Sequence, residues 1–277
     1  MTAPPTTTTP AALAAPVPNS PVDDLDGFTH RFVDVDGTRL HVVIGGSGPA
    51  VVLLHGWPYT WRVWRPVLVG LAATGRTVIV PDLRGTGDSA KPASGYTKVE
   101  VAEDVHQLVR WFGFERADVV GMDIGSMVAF AYATSHPEEV GHLVLSESVL
   151  PGFGLEELMD VAHGGLWHFG FHMQVDLAEM LTTGKEEAYL TPGWDGSSTG
   201  GVTAADRADF LAHYRAPGGM RGDSSTTPPC SRTGAPTAPA SARTPPAPCR
   251  CPFWCCAASR DFRRPCCSTA SARLPRT

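Results

Sequence analysis

Gly121-Met122-Asp123-Ile124-Gly125 constrains this chain more than any other stretch of it. The apolar run Ala117-Asp118-Val119-Val120 precedes it, and Ser126-Met127-Val128-Ala129-Phe130 follows as the expected start of a helix. A Gly-x-nucleophile-x-Gly spacing between strand and helix describes a sharp elbow, where a Cβ at either glycine would block the close approach of helix to strand. Serine is usual at the centre of such an elbow; here it is aspartate. A carboxylate at that point implies attack on an sp³ carbon, giving an alkyl-enzyme ester that water must then cleave. Read alone, the pentapeptide is also compatible with a glycine-rich strand–helix turn holding an incidental aspartate.

Two further motifs argue for the first reading. Val51-Val52-Leu53-Leu54 is a continuous apolar run, as a buried parallel strand requires, and it leads into His55-Gly56-Trp57-Pro58. Thr77-Val78-Ile79-Val80 is a second such run, leading into Pro81-Asp82-Leu83-Arg84-Gly85-Thr86-Gly87-Asp88-Ser89. Strand, His-Gly-x-Pro, helix, strand, Asp-x-x-Gly-x-Gly-x-Ser, helix, strand, elbow: this order resembles the α/β-hydrolase fold. The aspartate elbow together with His-Gly-Trp-Pro and Trp61-Arg62-Val63-Trp64 resembles its epoxide-hydrolase branch. The resemblance runs from about Phe32 to about Arg221 and is specific, because separate motifs agree in order and spacing.

The fold class expected is α/β: a mostly parallel sheet with helices on both faces, plus a helical lid. Strands are expected at 31–35, 39–44, 50–54, 77–80, 117–121 and 142–146, and helices near 61–72, 98–112 and 125–136. Val35-Asp36-Gly37-Thr38 reads as the turn of an N-terminal hairpin. The domain reading is a disordered leader over 1–25, rich in Thr, Pro and Ala at its start, a core over 26–149, a lid over 150–221 and an aberrant tail over 222–277.

The resemblance implies roles. Asp123 is the nucleophile, and the backbone N–H groups of Trp57 and Ile124 face its carboxyl group, where they stabilise the oxyanion during ester hydrolysis. His55 is read as ordering the loop, since in the family this segment shapes the oxyanion pocket. Asp82, Gly85, Gly87 and Asp88 serve the turn after the fourth strand. In the lid, Trp167 or His168 occupies the first position where epoxide hydrolases commonly carry a proton-donating tyrosine, and Tyr214 is read as packing within the lid. His168 and His172 share an i, i+4 face but lack a third ligand, so lid packing is the reading for both. Neither Glu147 nor Asp160, after the sixth strand, is convincingly a triad acid, because the histidine that would follow an eighth strand is missing: none follows His213.

The tail changes character. All seven cysteines lie beyond residue 222, at 230, 249, 251, 255, 256, 266 and 267. Eight arginines against Asp223 and Asp261 give residues 223–277 a charge of +6 in a chain of net charge −6. Leu274 is the tail's single residue among Val, Ile, Leu and Met. The cysteine spacing matches no tetrahedral zinc site. Shifting the frame one base earlier turns the stretch around Phe253-Trp254-Cys255-Cys256 into apolar-Pro-apolar-Leu-Val-Leu, which resembles the seventh strand of α/β-hydrolases. The same shift just after Gly222 permits Gly-Phe-Glu-x-Tyr, which resembles the family segment that carries a lid tyrosine. The tail is therefore read as out-of-frame translation, with the C-terminal strands and catalytic histidine lost.

The function expected is epoxide opening through an aspartyl ester, catalytically incomplete as written. A haloalkane or fluoroacetate dehalogenase is the nearest alternative, weakened by Ile124 where a halide-binding tryptophan often follows the nucleophile. A non-catalytic binding protein or a pseudogene product are the others. No cofactor or metal is implied, and the partner expected is a small apolar substrate. Modest acidity without a basic stripe argues against nucleic acid. No run is long and apolar enough for a membrane span, and a cytoplasmic setting is expected. Oligomeric state is left open.

Overall fold

The computed structural model of the chain describes residues 14–196 and 202–223. Six strands form one sheet: β1 (Phe28–Val35), β2 (Thr38–Gly46), β3 (Ala50–Leu54), β4 (Thr77–Pro81), β5 (Ala117–Met122) and β6 (Val140–Ser146), in the order β1-β2-β4-β3-β5-β6. The first two are an antiparallel hairpin, and β2 pairs antiparallel with β4. β4, β3, β5 and β6 run parallel. Asp36 and Gly37 both have positive φ, as a two-residue hairpin loop with the right twist needs.

Three helices cover the sheet: α1 (Arg65–Ala72), α2 (Lys98–Trp111) and α3 (Ile124–Ser135). The period-two alternation along buried strands sorts side chains to the two faces. Val52, Leu54, Ile79 and Val119 pack with Val105, Leu108 and Val109 of α2 and with Val128 and Tyr132 of α3. Val51, Leu53, Val78 and Val80 pack on the other face with Leu68 of α1 and with Trp61. α2 starts at a capping box, Thr97 Oγ1 accepting from Glu100 N–H at 3.2 Å while the Glu100 carboxylate accepts from Thr97 N–H at 3.1 Å.

Part of the segment 1–25, expected as a disordered leader, is ordered against the sheet. Residues 14–25 are described, and Val22 and Leu25 are buried against the α1 face of the sheet. Pro21 bridges Thr29, which seats these apolar side chains where water is excluded. The first 13 residues, and the tail beyond 223 with its frame-shift reading, lie outside the described residues.

A buried pair absent from the sequence reading ties the hairpin to the turn after β4. His41 Nδ1 donates to Asp82 Oδ2 at 2.7 Å, with both side chains fully buried. Asp82 also accepts from Trp61 N–H at 2.8 Å and Asp88 N–H at 3.1 Å. Burial pushes the Asp82 carboxyl up, but the His41 hydrogen bond and the neighbouring histidines outweigh this and hold it far below the usual carboxylate range.

Among the described residues, five α-helices follow β6: α4 (Leu155–Leu158), α5 (Trp167–His172), α6 (Val175–Thr182), α7 (Glu186–Gly196) and α8 (Ala204–Arg215). Leu190 and Trp194 of α7 pack with Phe210, Leu211 and Tyr214 of α8, and this cluster rests on Trp57 and Tyr59. The helical segment thereby sits over the loop that follows β3.

Candidate active site

β5 ends at Met122 and α3 begins at Ile124, so Asp123 is the single residue between strand and helix. Its backbone adopts φ 51° and ψ −122°, a region that non-glycine residues seldom occupy and that persists only when the surroundings over-determine it. Those surroundings are visible. Asp123 N–H donates to Ser146 C=O at 3.1 Å, and Asp123 C=O accepts from Ser126 N–H at 2.9 Å. The Ser126 hydroxyl lies 2.8 Å from Gly121 O and 3.0 Å from Ser146 O, so it is committed to backbone carbonyls. A Cβ on Gly121 would stand 2.3 Å from Gly125 O, and one on Gly125 would stand 2.4 Å from Leu54 O. The two glycines let the helix press onto β5 and β3.

Trp57 N–H donates to Asp123 Oδ2 at 2.8 Å, and Ile124 N–H also bonds the carboxylate. The three residues that the sequence reading grouped are therefore together. Burial pushes the Asp123 carboxyl up; the two amides and Lys98 pull it down and Glu147 pushes it further up, leaving it above the ordinary range. Trp57 precedes a cis Pro58, and its indole Nε1 is buried without a hydrogen-bond partner among the described residues. A donor so placed is suited to an acceptor atom supplied by a ligand.

His55 is fully buried and its ring nitrogens are engaged. Nδ1 donates to Gly56 O at 2.8 Å, and Nε2 accepts from Leu83 N–H at 3.1 Å, with Thr86 Oγ1 3.0 Å away. Burial lowers its pKa, against weaker upward pulls from Asp82 and Gly56 O. Such a ring joins the β3 loop to the β4 turn and has no nitrogen to spare for proton transfer.

Side chains of α5, α7 and α8 gather around Trp57. His168 stacks on its indole at 6.2 Å between centroids, and His172 meets it edge-on at 4.9 Å. Trp167 meets Tyr189 at 6.1 Å. Burial lowers the pKa of His168; burial, then the neighbouring His168, lowers His172 to about 4. Tyr214 is buried and meets Trp57 edge-on at 6.3 Å. The sequence reading missed Tyr189, whose hydroxyl is 2.8 Å from His172 Nε2 and whose ring faces Trp57 at 6.2 Å. Its only signal in the sequence is that it is the one tyrosine between Tyr132 and Tyr214.

Glu147 and Asp160 differ. Asp160 pairs with His163 at the exposed surface. Glu147, directly after β6, has φ 48° and acts electrostatically on Asp123. With Met122, Tyr59, Arg62, Thr203 and Phe210 it lines a cavity of about 290 Å³ beside the elbow.

Residues 49–166 match the family described as the alpha/beta hydrolase fold. A fluoroacetate dehalogenase from a Burkholderia species is 31% identical over 206 residues, spanning 71% of this chain and 67% of that protein. The chain belongs to the α/β-hydrolase fold family. Within it, the chain falls in the epoxide-hydrolase-like branch. The soluble epoxide hydrolase of Corynebacterium sp. (strain C12) is 44% identical over 125 residues, 45% of this chain but 43% of that protein. The solved structure of the ligand-free epoxide hydrolase CorEH is 33% identical, with a TM-score of 0.61 over 71% of each chain. This α/β-hydrolase thus spans less than half the length of the curated epoxide hydrolase it matches. No helix among its described residues is long and apolar enough to cross a membrane.

Proposed function

We propose that this chain is an epoxide-hydrolase-type enzyme whose covalent chemistry is carried by Asp123. The observation that carries the reading is the elbow itself: a strained aspartate, backed by two glycines, with the N–H groups of Trp57 and Ile124 on its carboxylate. Asp123 attacks an epoxide carbon, the carbon–oxygen bond breaks, and an alkyl ester forms. When water adds to that ester, the two amides hold the oxyanion. The departing epoxide oxygen needs a proton, for which His168, with Trp167 beside it, is the candidate donor, while the Trp57 indole N–H can only hydrogen-bond that oxygen. The substrate class is a small apolar epoxide, and the setting expected for such an enzyme is the cytoplasm.

The second half-reaction is the weak one. No histidine follows His213 in this sequence, and His213 itself stands 3.9 Å from Asp88 and 3.7 Å from Asp209. General-base assistance is worth roughly 10²–10⁴-fold, so the ester is expected to persist. The protein, incubated with styrene oxide and digested, should carry one alkyl adduct on the Asp123 peptide. An adduct elsewhere, or no adduct, would overturn the assignment, and multiple turnover would overturn the incompleteness. The partnerless Trp57 Nε1 favours a second reading, in which a halide takes that donor. A chloroalkane or fluoroacetate alkylating Asp123 faster than styrene oxide would favour this dehalogenase reading.

A further inference from the structure

A second cluster, remote in sequence from the elbow, joins α2 to the end of α3. Glu103 and His106 stand three residues apart on α2, and His136 is the residue that ends α3. The imidazoles of His106 and His136 lie parallel, 3.9 Å between centroids and 4° between planes. Glu103 closes one edge of the stack: its Oε2 is 3.1 Å from His136 Nε2 and its Oε1 is 3.9 Å from His106 Nε2. Glu139 closes the other edge. Its Oε2 accepts from His106 Nδ1 at 2.8 Å and from Tyr132 OH at 2.9 Å.

This arrangement fixes a tautomer. With Nδ1–H committed to Glu139, neutral His106 carries its lone pair on Nε2, toward Glu103. A carboxylate behind a histidine is the arrangement that orients imidazole ligands to metals. One donor atom from each of Glu103, His106 and His136 lies within 4.8 Å of the other two. Tetrahedral zinc ligands at roughly 2.0–2.1 Å stand about 3.4 Å apart, so the set closes on an ion when the Glu103 carboxylate turns and the two stacked rings splay until their lone pairs converge. Of the two other such groups among the described residues, His136 with Glu138 and Glu139 shares His136 with this one, and in His41 with Asp82 and Asp88 the Asp82 carboxylate is already taken by His41, Trp61 N–H and Asp88 N–H.

We propose that Glu103, His106 and His136 bind a divalent transition-metal ion of the zinc type, with water in the fourth position, and that Glu139 is a positioning residue for His106. Two imidazoles and one carboxylate suit zinc, cobalt or nickel better than calcium or magnesium. Both histidines are partly exposed, so an ion can reach them. The bound ion would tie α2 to α3, the helix that begins immediately after Asp123.

The test uses the full chain with its cysteines alkylated, because thiolates are themselves zinc ligands. Zinc is titrated by calorimetry, and cobalt by its visible absorption, which reports low-coordinate geometry directly. One ion per chain is expected, with a metal-dependent rise in melting temperature. His106→Gln, His136→Gln and the exposed Glu103→Gln should each weaken binding at least about tenfold, and Glu139→Gln by about 10–100-fold. The metal-free far-ultraviolet spectrum of Glu103→Gln should match the parent's. Absence of binding by the alkylated parent, or binding unchanged in the His106→Gln/His136→Gln double variant, would overturn the site.

Discussion

The sheet and the helical segment after β6, read as a lid, are built to different tolerances. On β2 to β5 the inward side chains are sealed between two helical layers, and Val42, Val52, Leu54, Ile79 and Val119 are all inaccessible to water. The lid is made of short helices and leaves large apolar side chains in the open, among them Trp167 at 55% and Met180 at 65% exposure. β6 shares this looseness. It is the last strand of the sheet among the described residues, and Val144 is 51% exposed. The difference teaches where precision is needed. Asp123, the proposed nucleophile, and the two amides on its carboxylate stand on the sealed half, where a misplacement of an ångström is costly. The aromatic groups that would meet the substrate stand on the half that can yield.

The largest effect expected from breaking this division is chemical. Asp123→Asn should abolish adduct formation, by at least about 10⁴-fold, as nucleophile removal does elsewhere; mass spectrometry of the treated protein checks it. The sealed half should resist the change. Burial holds the Asp123 carboxyl above its unfolded value, so ionising it opposes folding once the pH exceeds that unfolded value. Asp123→Asn is therefore expected to melt higher than the parent near pH 7 and to lose that advantage near pH 3.

Next in size is the buried pair. Asp82→Ala strands His41 and the Trp61 N–H, and removing one partner of a buried pair costs about 3–5 kcal/mol. Because the folded-state pKa of Asp82 is depressed, its contribution is present above the ordinary carboxylate pKa and fades as the pH falls below it. Denaturant melts at pH 7 and pH 3 should show the penalty shrinking in acid. An equal penalty at both would mean that packing, not charge, holds the turn.

Tyr189→Phe sharpens the comparison at the smaller end. It removes the hydrogen bond with His172, worth about 1 kcal/mol. Faster hydrogen exchange should appear in α5 and α7 and leave β3, β5 and α3 unchanged. Spread of the effect into β5 would show that lid and sheet form one cooperative unit. The smallest effect is on pH: adduct formation should fall on acidification through a midpoint above that of an ordinary aspartate, because Asp123 attacks only when ionised.

Much of the sheet was legible from local pattern. Continuous apolar runs such as Val51–Leu54 have few alternatives to a strand covered on both faces, and Thr97–Glu100 marks a helix start by its own hydrogen bonds. The elbow was legible for the same reason: Gly121, Asp123 and Gly125 meet a steric demand that acts within five residues. His55 was read from motif position as ordering its loop, and in the fold both its ring nitrogens are engaged.

Tertiary structure alone decided what depends on residues far apart in the chain. Pairing of His41 with Asp82, the approach of Tyr189 and His172 to Trp57, the placing of Glu147 beside Asp123, and the stacking of His106 on His136 join positions 17 to 132 residues apart. No periodicity or spacing encodes such contacts, because they arise from how helices and loops settle on the sheet once hydrophobic burial has assembled it. Even Val22 and Leu25, in a segment whose composition reads as leader, are held by a sheet face that exists only after folding. Local sterics wrote the Asp123 elbow into the sequence; burial and packing chose its company.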